Sequence, residues 1–335
     1  MCQAATAGWW GRGGGAVHHC WHSRCESANN LPEEVRRVKR DARHRRGAGQ
    51  PVARYASVMT ISHPLVALRA GPAEAVLDPG AGGRIAALRV DGMDLLVTRG
   101  DGPLTWGAYP MVPWAGRLRD GLLRWDGTVH TLPTDLLPPH AIHGTLVEAA
   151  WRVAAPTGDA TATLEAPLGA AWPFGGRAVH RVTLTATSLT AALEVHADER
   201  PFPAIVGWHP WFPRTLRGPA GAVGGPVEVD VRASGMLGRG ADYIPTGAVL
   251  PVPPGPLDDC LVGVTVAPAV RWPGALEVAI ESDATYWVVY TQHVDGVCVE
   301  PQTGPPNGLN TGDFTLVEPG RPLVASMTLR WRRLG

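Results

Sequence analysis

Short apolar or alternating runs, separated by glycine and proline, extend over most of this chain. The clearest lies at 179–197, where Val182, Leu184 and Ala186 alternate with threonines and a second alternating run follows Ser188. Alternation with period two is typical of a strand with one buried face, so this segment predicts two antiparallel strands joined by a tight turn. With 41 glycines, 32 prolines and no convincing long helix, the chain is predicted to be all-β.

Ten further segments carry a similar pattern and are predicted as strands. They are 84–90, 122–125, 128–132, 151–154, 161–165, 227–231, 276–280, 286–291, 297–300 and 324–331. Long connections rich in glycine and proline lie between them, and binding residues are often found in such loops. The sequence has no repeat of solenoid or propeller period and no alternation of β and α units.

The charge of the chain divides it into two parts. Residues 1–58 carry 10 Arg and Lys against 4 Asp and Glu, whereas residues 59–335 carry 20 against 26. The first part has no hydrophobic periodicity and is predicted to be a disordered basic tail, and the second to be one large β domain. A nucleic-acid partner is not expected, because the predicted domain has no excess of positive charge. The predicted β domain contains no lysine, which excludes Schiff-base chemistry and a P-loop in that domain.

Cysteine usage and hydropathy indicate the compartment. The five cysteines, at 2, 20, 25, 260 and 298, form no CxxC pair, which favours a reducing, cytoplasmic setting. The chain has neither the ~18 apolar residues of a membrane span nor the order of a secretory signal, so no membrane association is expected. Cys20 and Cys25 lie among histidines, but their spacing matches no standard zinc motif, and no metal is predicted.

One carboxylate and two imidazoles lie in settings that fix a side chain. Glu300 comes at the end of the β-type run VCVE, directly before Pro301, which is predicted to end the strand. His143 lies in AIHGTL and His209 in VGWHPWF. An imidazole titrates near pH ~6.5 and burial can raise a glutamate towards that value, so the three residues suit proton transfer.

Aromatic residues are frequent near these segments. Trp106, Tyr109, Trp114, Trp208 and Trp211 all lie close to them in sequence. Flat aromatic faces suit the C–H-rich face of a pyranose, while polar groups bind its hydroxyls. Trp208 and Trp211 are therefore candidate sugar-binding residues.

Five segments taken together resemble one known family. They are PMVPWAGRLRDG at 110–121, AIHG at 141–144, GWHPWF at 207–212, PLDDC at 256–260 and VCVEPQTGPPN at 297–307. In this order they resemble the aldose 1-epimerase (galactose mutarotase) family over about residues 60–332. The resemblance implies a large antiparallel β-sandwich of the galactose mutarotase-like, or supersandwich, type with few short helices.

The resemblance also implies roles for individual residues. It places the general base on Glu300, the catalytic histidines on His143 and His209 with His209 as general acid, and sugar-binding side chains on Arg117 and Asp258. The implied activity is interconversion of the α and β anomers of a free aldohexose, without a cofactor or metal. A small sugar is then the expected partner, and the protein is expected to be a monomer or homodimer.

The match has departures. The asparagine usual before the family's arginine is Gly116 here, and a tyrosine common after the His-Pro pair is Trp211. Both changes concern which sugar fits and leave the proton chemistry intact. In PLDDC either Asp258 or the adjacent Asp259 could contact the sugar, and Asp258 is preferred.

Other functions fit parts of the same pattern. A glycoside hydrolase would pair Glu300 with a second carboxylate such as Asp258. A non-catalytic sugar-binding module would keep the aromatic, arginine and aspartate contacts without proton transfer. A cupin-type metalloenzyme is disfavoured because no closely spaced HxH pair is present, and a hexose-phosphate epimerase because no basic cluster lies near the motifs.

Overall fold

The computed structural model describes residues 63–154 and 158–335. They form 27 strands, one 3-10 turn at Arg119–Gly121 and one short α-helix, α1, at Gly308–Thr311. The prediction of an all-β chain with few short helices is therefore confirmed. The predicted disordered tail at 1–58 lies outside the described residues. In the part of the chain that the structure describes, no helix has the length and apolarity needed to cross a membrane.

The strands are short and follow one another closely along the chain. The first 13 are β1 Val66–Ala70, β2 Ala73–Asp78, β3 Arg84–Val90, β4 Met93–Asp94, β5 Ala108–Met111, β6 Arg117–Leu118, β7 Leu122–Trp125, β8 Thr128–Thr131, β9 Ala141–Ile142, β10 Arg152–Val153, β11 Thr161–Pro167, β12 Arg177–Leu184 and β13 Ser188–His196. The others are β14 Phe202–Ala204, β15 Gly207–Pro213, β16 Arg217–Gly218, β17 Gly221–Ala222, β18 Glu228–Asp230, β19 Gly235–Arg239, β20 Pro245–Leu250, β21 Asp258–Val262, β22 Ala269–Trp272, β23 Leu276–Ser282, β24 Tyr286–Tyr290, β25 Gly296–Gln302, β26 Thr315–Val317 and β27 Leu323–Arg333.

Two large antiparallel sheets contain most of these strands. The 13-stranded sheet has the order β17-β16-β4-β3-β5-β15-β25-β24-β21-β19-β20, with β2 and then β1 added beside β3. The 8-stranded sheet has the order β10-β11-β12-β13-β27-β23-β22-β18, and three two-stranded pairs complete the set. Buried side chains from both large sheets belong to one hydrophobic cluster. This is the predicted large antiparallel β-sandwich.

The predicted hairpin at 179–197 is present as β12 and β13. Residues at every second position of β13 are buried, including Leu189, Leu193 and Val195, as the period-two pattern requires. The turn is held by Thr185, whose hydroxyl oxygen accepts hydrogen bonds from the backbone N–H groups of Thr187 and Ser188. Local alternation and turn chemistry therefore determine this part of the fold.

Strand β25 differs from the prediction that Pro301 ends it. The strand continues to Gln302 and lies between β15 and β24 in the large sheet. Proline cannot donate to a β ladder, and here the pairing of β15 with β25 is interrupted between Gly207–Gln302 and Trp211–Cys298. Pro210 of β15 also lies in the interrupted part. Both prolines therefore lie where the ladder between these two central strands is interrupted.

Gly144 attaches the loop after β9 to the large sheet. It forms a parallel bridge with Val112, and the N–H of Thr145 donates to the Val112 carbonyl at 3.1 Å. Gly144 has φ 88°, and a Cβ added there would lie 1.8 Å from the Val112 oxygen. Only glycine fits this position, which directly follows His143.

Replacing Gly144 with alanine is expected to destabilise the fold strongly. The Cβ must displace the Val112 carbonyl and adopt a positive φ, so Gly144→Ala should lower the free energy of unfolding by roughly 3 kcal/mol or more. Gly320 is the matched control, because it has φ 79° and no atom within 4 Å of an added Cβ. Gly320→Ala should cost only about 1–2 kcal/mol. Denaturant unfolding of both variants measures the difference, and equal losses would contradict the packing described here.

Candidate active site

The candidate site is a cavity of about 270 Å³ on one face of the 13-stranded sheet. Its floor follows from strand register, because residues opposite one another in antiparallel strands share a face. His209 of β15 pairs with Tyr109 of β5, and Glu300 of β25 pairs with Val288 of β24. Val288 in turn pairs with Cys260 of β21. The flanking register of β15 and β25 places His209 opposite Glu300 and completes a row across five strands.

A second row lies beside the first. Trp211 of β15 pairs with Cys298 of β25, which pairs with Tyr290 of β24, which pairs with Asp258 of β21. Trp211, Tyr290 and Asp258 line the cavity. The two rows bring together side chains that are up to 191 residues apart in the sequence, from Tyr109 to Glu300.

Glu300 and His209 are in direct contact at the floor. His209 Nε2 lies 3.2 Å from Glu300 Oε1, and both side chains are buried. The second carboxyl oxygen accepts a hydrogen bond from the side-chain amide of buried Gln302 at 3.2 Å. Burial, and next the charge of Asp258, raise the pKa of Glu300 well above its usual range. The carboxyl group therefore holds a proton more readily than an exposed glutamate does.

His209 has the opposite shift. Burial lowers its pKa to about 3, and the positive charge of Arg84 acts in the same direction. Its Nδ1, which carries the proton of the neutral ring when Nε2 accepts from Glu300, is buried and has no hydrogen-bond partner among the described residues. The ring is held between Tyr109 and Trp211, which stack on it with centroids at 4.9 and 5.4 Å. Of the two groups, Glu300 therefore holds a shared proton more readily than His209 does.

His143 approaches the pair from a loop. Its ring meets His209 edge to face, with centroids 5.2 Å apart, and it has φ 58°, a left-handed conformation stabilised by its neighbours. The backbone N–H of Gly116 donates to His143 Nδ1 at 3.3 Å, so the neutral ring carries its proton on Nε2. Burial, and then the charges of His209 and Arg117, lower the pKa of His143 well below its usual range. His143 is therefore a neutral hydrogen-bond donor.

Charged residues form one wall of the cavity in two pairs. Arg117 NH2 lies 3.9 Å from Asp258 Oδ2, and Arg239 Nε donates to Asp259 Oδ1 at 2.7 Å. All four line the cavity, and burial raises the pKa of Asp258. The structure thus brings both candidate aspartates to the site. Asp258 keeps the longer and weaker ion pair, which leaves its carboxylate available to a ligand.

Sequence reasoning did not single out Arg239 and Tyr243. The ring of Tyr243 lies between two guanidinium groups, 4.6 Å from that of Arg117 and 4.2 Å from that of Arg239. Each contact is within the range of a cation–π interaction. Arg239 is the last residue of β19 and Tyr243 lies in the connection to β20, and the sequence of this segment carries no motif. One arginine and one tyrosine at this spacing give no signal that they meet another arginine.

The two candidate tryptophans lie on opposite faces of β15. Trp211 lines the cavity with His209, as a spacing of two residues requires. Trp208 does not line it and is buried in the core, where its indole N–H donates to His180 Nε2 at 3.2 Å. The expectation that Trp208 binds sugar is therefore corrected. Trp208 is adjacent to His209 in the strand, so its side chain lies on the opposite face of the sheet.

A metal ion has one cluster of potential ligands among the described residues. It consists of His209, Cys298 and Glu300, whose ligand atoms all lie within 4.8 Å of one another. Cys298 is fully buried, and burial raises its thiol pKa well above the usual range. Two of these three residues are the proton-sharing pair already described.

Comparison with protein families gives a match over most of the chain. A family model described as aldose 1-epimerase matches residues 64–330. Comparison with curated proteins gives no match. The matched region includes both large sheets, except for the last three residues of β27, and every residue placed in the cavity above.

Solved structures share the fold. A galactose mutarotase-like protein from Clostridium acetobutylicum has a TM-score of 0.69 at 17% identity, covering 81% of this chain and 95% of that one. An aldose epimerase homologue from C. elegans has a TM-score of 0.68 at 15% identity, covering 81% and 99%. Galactose 1-epimerase from Lactobacillus acidophilus has a TM-score of 0.64 at 15% identity, covering 81% and 95%. These structures show the galactose mutarotase-like fold, and the family match shows that the chain belongs to the aldose 1-epimerase family.

Proposed function

We propose that the protein is a mutarotase that interconverts the α and β anomers of a free aldohexose. The observation that carries this proposal is the 3.2 Å contact between His209 Nε2 and Glu300 Oε1 at the floor of an open cavity. Mutarotation requires one group to take a proton from the anomeric hydroxyl and another to deliver one to the ring oxygen. An adjacent acid and base that share a proton supply both functions.

The first step produces the active charge state. The proton on Glu300 passes to His209 Nε2, which leaves a carboxylate beside an imidazolium. Burial disfavours this charged state, because it lowers the pKa of His209 and raises the pKa of Glu300. Because the two groups are in contact, each charge stabilises the other. This refines the expectation that His209 acts as an imidazolium: it obtains its proton from the base itself.

The ring then opens and closes. Glu300 removes the proton of the C1 hydroxyl while His209 protonates the ring oxygen, and the bond between C1 and that oxygen breaks to give the open-chain aldehyde. After rotation about the C1–C2 bond, the hydroxyl attacks the other face of C1 and returns its proton to His209. Glu300 gives its proton to the new anomeric oxygen. Each positioned acid or base contributes roughly 10² to 10⁴-fold.

His143, Arg117 and Asp258 hold the sugar in this mechanism. The Nε2–H of His143 donates near the ring oxygen and stabilises charge that develops there. Arg117 presents several donors to vicinal hydroxyls, and Asp258 accepts from another hydroxyl. Trp211 supplies an aromatic surface beside His209.

The cavity wall favours an uncharged monosaccharide. Arg117 and Arg239 are each matched by a carboxylate, Asp258 and Asp259, so the wall offers no uncompensated positive charge to a phosphate. A volume of about 270 Å³ is also small for a ligand pocket, which typically has ~300–1,000 Å³. These features support a free aldohexose over a hexose phosphate or a long glycan. Buried free thiols at Cys260 and Cys298 support a reducing compartment such as the cytoplasm.

Glycoside hydrolysis remains a second candidate because of Asp258. Burial raises the pKa of Asp258, as the acid of a glycosidase requires, and the charge of Asp258 raises the pKa of Glu300. Release of nitrophenol from aryl glycosides would favour this reaction, whereas interconversion of free anomers favours the mutarotase.

Glu300→Gln tests the base. The amide keeps the shape of the side chain but cannot accept the anomeric proton, so interconversion of freshly dissolved α-anomer should slow by roughly 10² to 10⁴-fold. Sugar binding should persist, and the melting temperature should not fall, because an uncharged group replaces a buried acid. Polarimetry measures the rate, with Glu281→Gln on the exposed Arg330 pair as control. A near-normal rate in Glu300→Gln would reject the assignment.

The pH profile tests the shared proton. In its active state the His209–Glu300 pair holds one shared proton. The pair loses this proton as the pH rises through the raised pKa of Glu300, and it gains a second proton, on His209, only near pH 3. The enzymatic rate, after subtraction of spontaneous mutarotation, should therefore be flat above pH about 3 and fall as the pH rises through the raised pKa of Glu300. A rate that keeps increasing with pH would show that the carboxylate alone is sufficient.

Asp258→Asn and Asp259→Asn distinguish the two aspartates. Loss of a charged hydrogen bond to a sugar hydroxyl costs ~1.5–3 kcal/mol, so Asp258→Asn should raise KM roughly tenfold to a hundredfold with a smaller effect on kcat. Because the charge of Asp258 raises the pKa of Glu300, the alkaline fall should also move to lower pH. Asp259 is bound to Arg239, and its variant should change KM less. The reverse order would assign the sugar contact to Asp259.

A further inference from the structure

Cys298 lies at the proton-sharing pair but has no part in the proposed reaction. It precedes Glu300 by two residues on the same face of β25 and is fully buried. Its sulfur belongs to a compact group with ligand atoms of His209 and Glu300, all within 4.8 Å of one another. A thiol, an imidazole and a carboxylate are the three side chains that Zn²⁺ binds most often.

The spacing of these atoms suits a tetrahedral ion. Zn–N and Zn–O bonds of ~2.0–2.2 Å at the tetrahedral angle place the two ligand atoms about 3.3 Å apart. His209 Nε2 and Glu300 Oε1 are separated by 3.2 Å. A Zn–S bond of ~2.3 Å places sulfur about 3.6 Å from either atom. Cys298 Sγ lies within 4.8 Å of a ring nitrogen of His209 and of a carboxylate oxygen of Glu300.

We propose that His209, Cys298 and Glu300 form a binding site for a thiophilic divalent cation such as Zn²⁺, and that bound metal blocks proton transfer. The ion would lie between His209 Nε2 and Glu300 Oε1, where the shared proton lies in the mechanism. Metal and shared proton therefore exclude each other. The inhibitory half of this inference rests on the proposed function, whereas metal binding does not.

The surroundings of the three ligands agree with an open site. His209 and Glu300 line the cavity, so a fourth position faces it and can take water. Gln302 donates to the second oxygen of Glu300 and fixes the carboxylate, as an outer-sphere partner does. The unpartnered Nδ1 of His209 lacks such support. The site should therefore bind more weakly than a structural zinc centre.

The experiment uses the full-length chain with Zn²⁺ and Co²⁺ as probes. Cys20 and Cys25 lie among histidines in the N-terminal segment, so both are changed to serine in every protein compared. In this background Cys298→Ser removes the proposed thiol. Cys260→Ser is the matched control, because Cys260 also lines the cavity but does not belong to the cluster.

Three readings are expected. Equilibrium dialysis should give one Zn²⁺ per chain in the parent and in Cys260→Ser, with affinity weakened roughly tenfold or more in Cys298→Ser. Co²⁺ should give a thiolate-to-cobalt charge-transfer band that Cys298→Ser abolishes. The ratio of anomer interconversion with and without Zn²⁺ should fall in the parent and recover in Cys298→Ser.

The result that would overturn the proposal is equal Zn²⁺ affinity in the parent and Cys298→Ser, or the absence of stoichiometric binding. Failure of the proposed function looks different. If the protein does not interconvert anomers but binds Co²⁺ through Cys298, the metal site stands and the mutarotase proposal falls.

Discussion

The contact between His209 and Glu300 depends on the register of two adjacent central strands, each of which contains a proline. Pro210 of β15 and Pro301 of β25 cannot donate backbone hydrogen bonds, and the pairing of these strands is interrupted where they lie. Regular pairing resumes on both sides, so the register is kept. The imidazole and the carboxyl are thus held opposite each other by a rigid sheet, rather than by a loop.

Burial of this pair has an energetic cost that the surrounding sheet offsets. Tyr109 and Trp211 stack on the ring of His209, and Gln302 binds the carboxyl of Glu300. The pKa values of both groups move away from the charged state, because low polarity penalises each charge. Two groups in contact whose pKa values are shifted in this way are the kind of pair found at sites of proton transfer.

Much of the fold could be predicted from local patterns. The alternating residues of β12 and β13, the turn at Thr185 and the bounds of β3 and β7 follow from periodicity and turn chemistry. The end of β25 could not be predicted in this way. The rule that proline interrupts a ladder placed the end at Glu300, and the sequence does not reveal that β25 pairs with a strand that also contains a proline, Pro210. Tyr243 could not be predicted either, since its position between Arg117 and Arg239 depends on contacts between distant segments.

Strand parity explains why motif residues divided between the site and the core. His209 and Trp211 differ by two positions and share the cavity face, whereas Trp208 lies on the opposite face and donates to His180. His180 Nδ1 in turn lies 3.1 Å from the Gly83 carbonyl, so this buried pair is satisfied within the core. The segment GWHPWF therefore has two functions. One face of β15 presents His209 to the cavity, and the other packs Trp208 into the core and so fixes the strand that holds the 3.2 Å contact with Glu300.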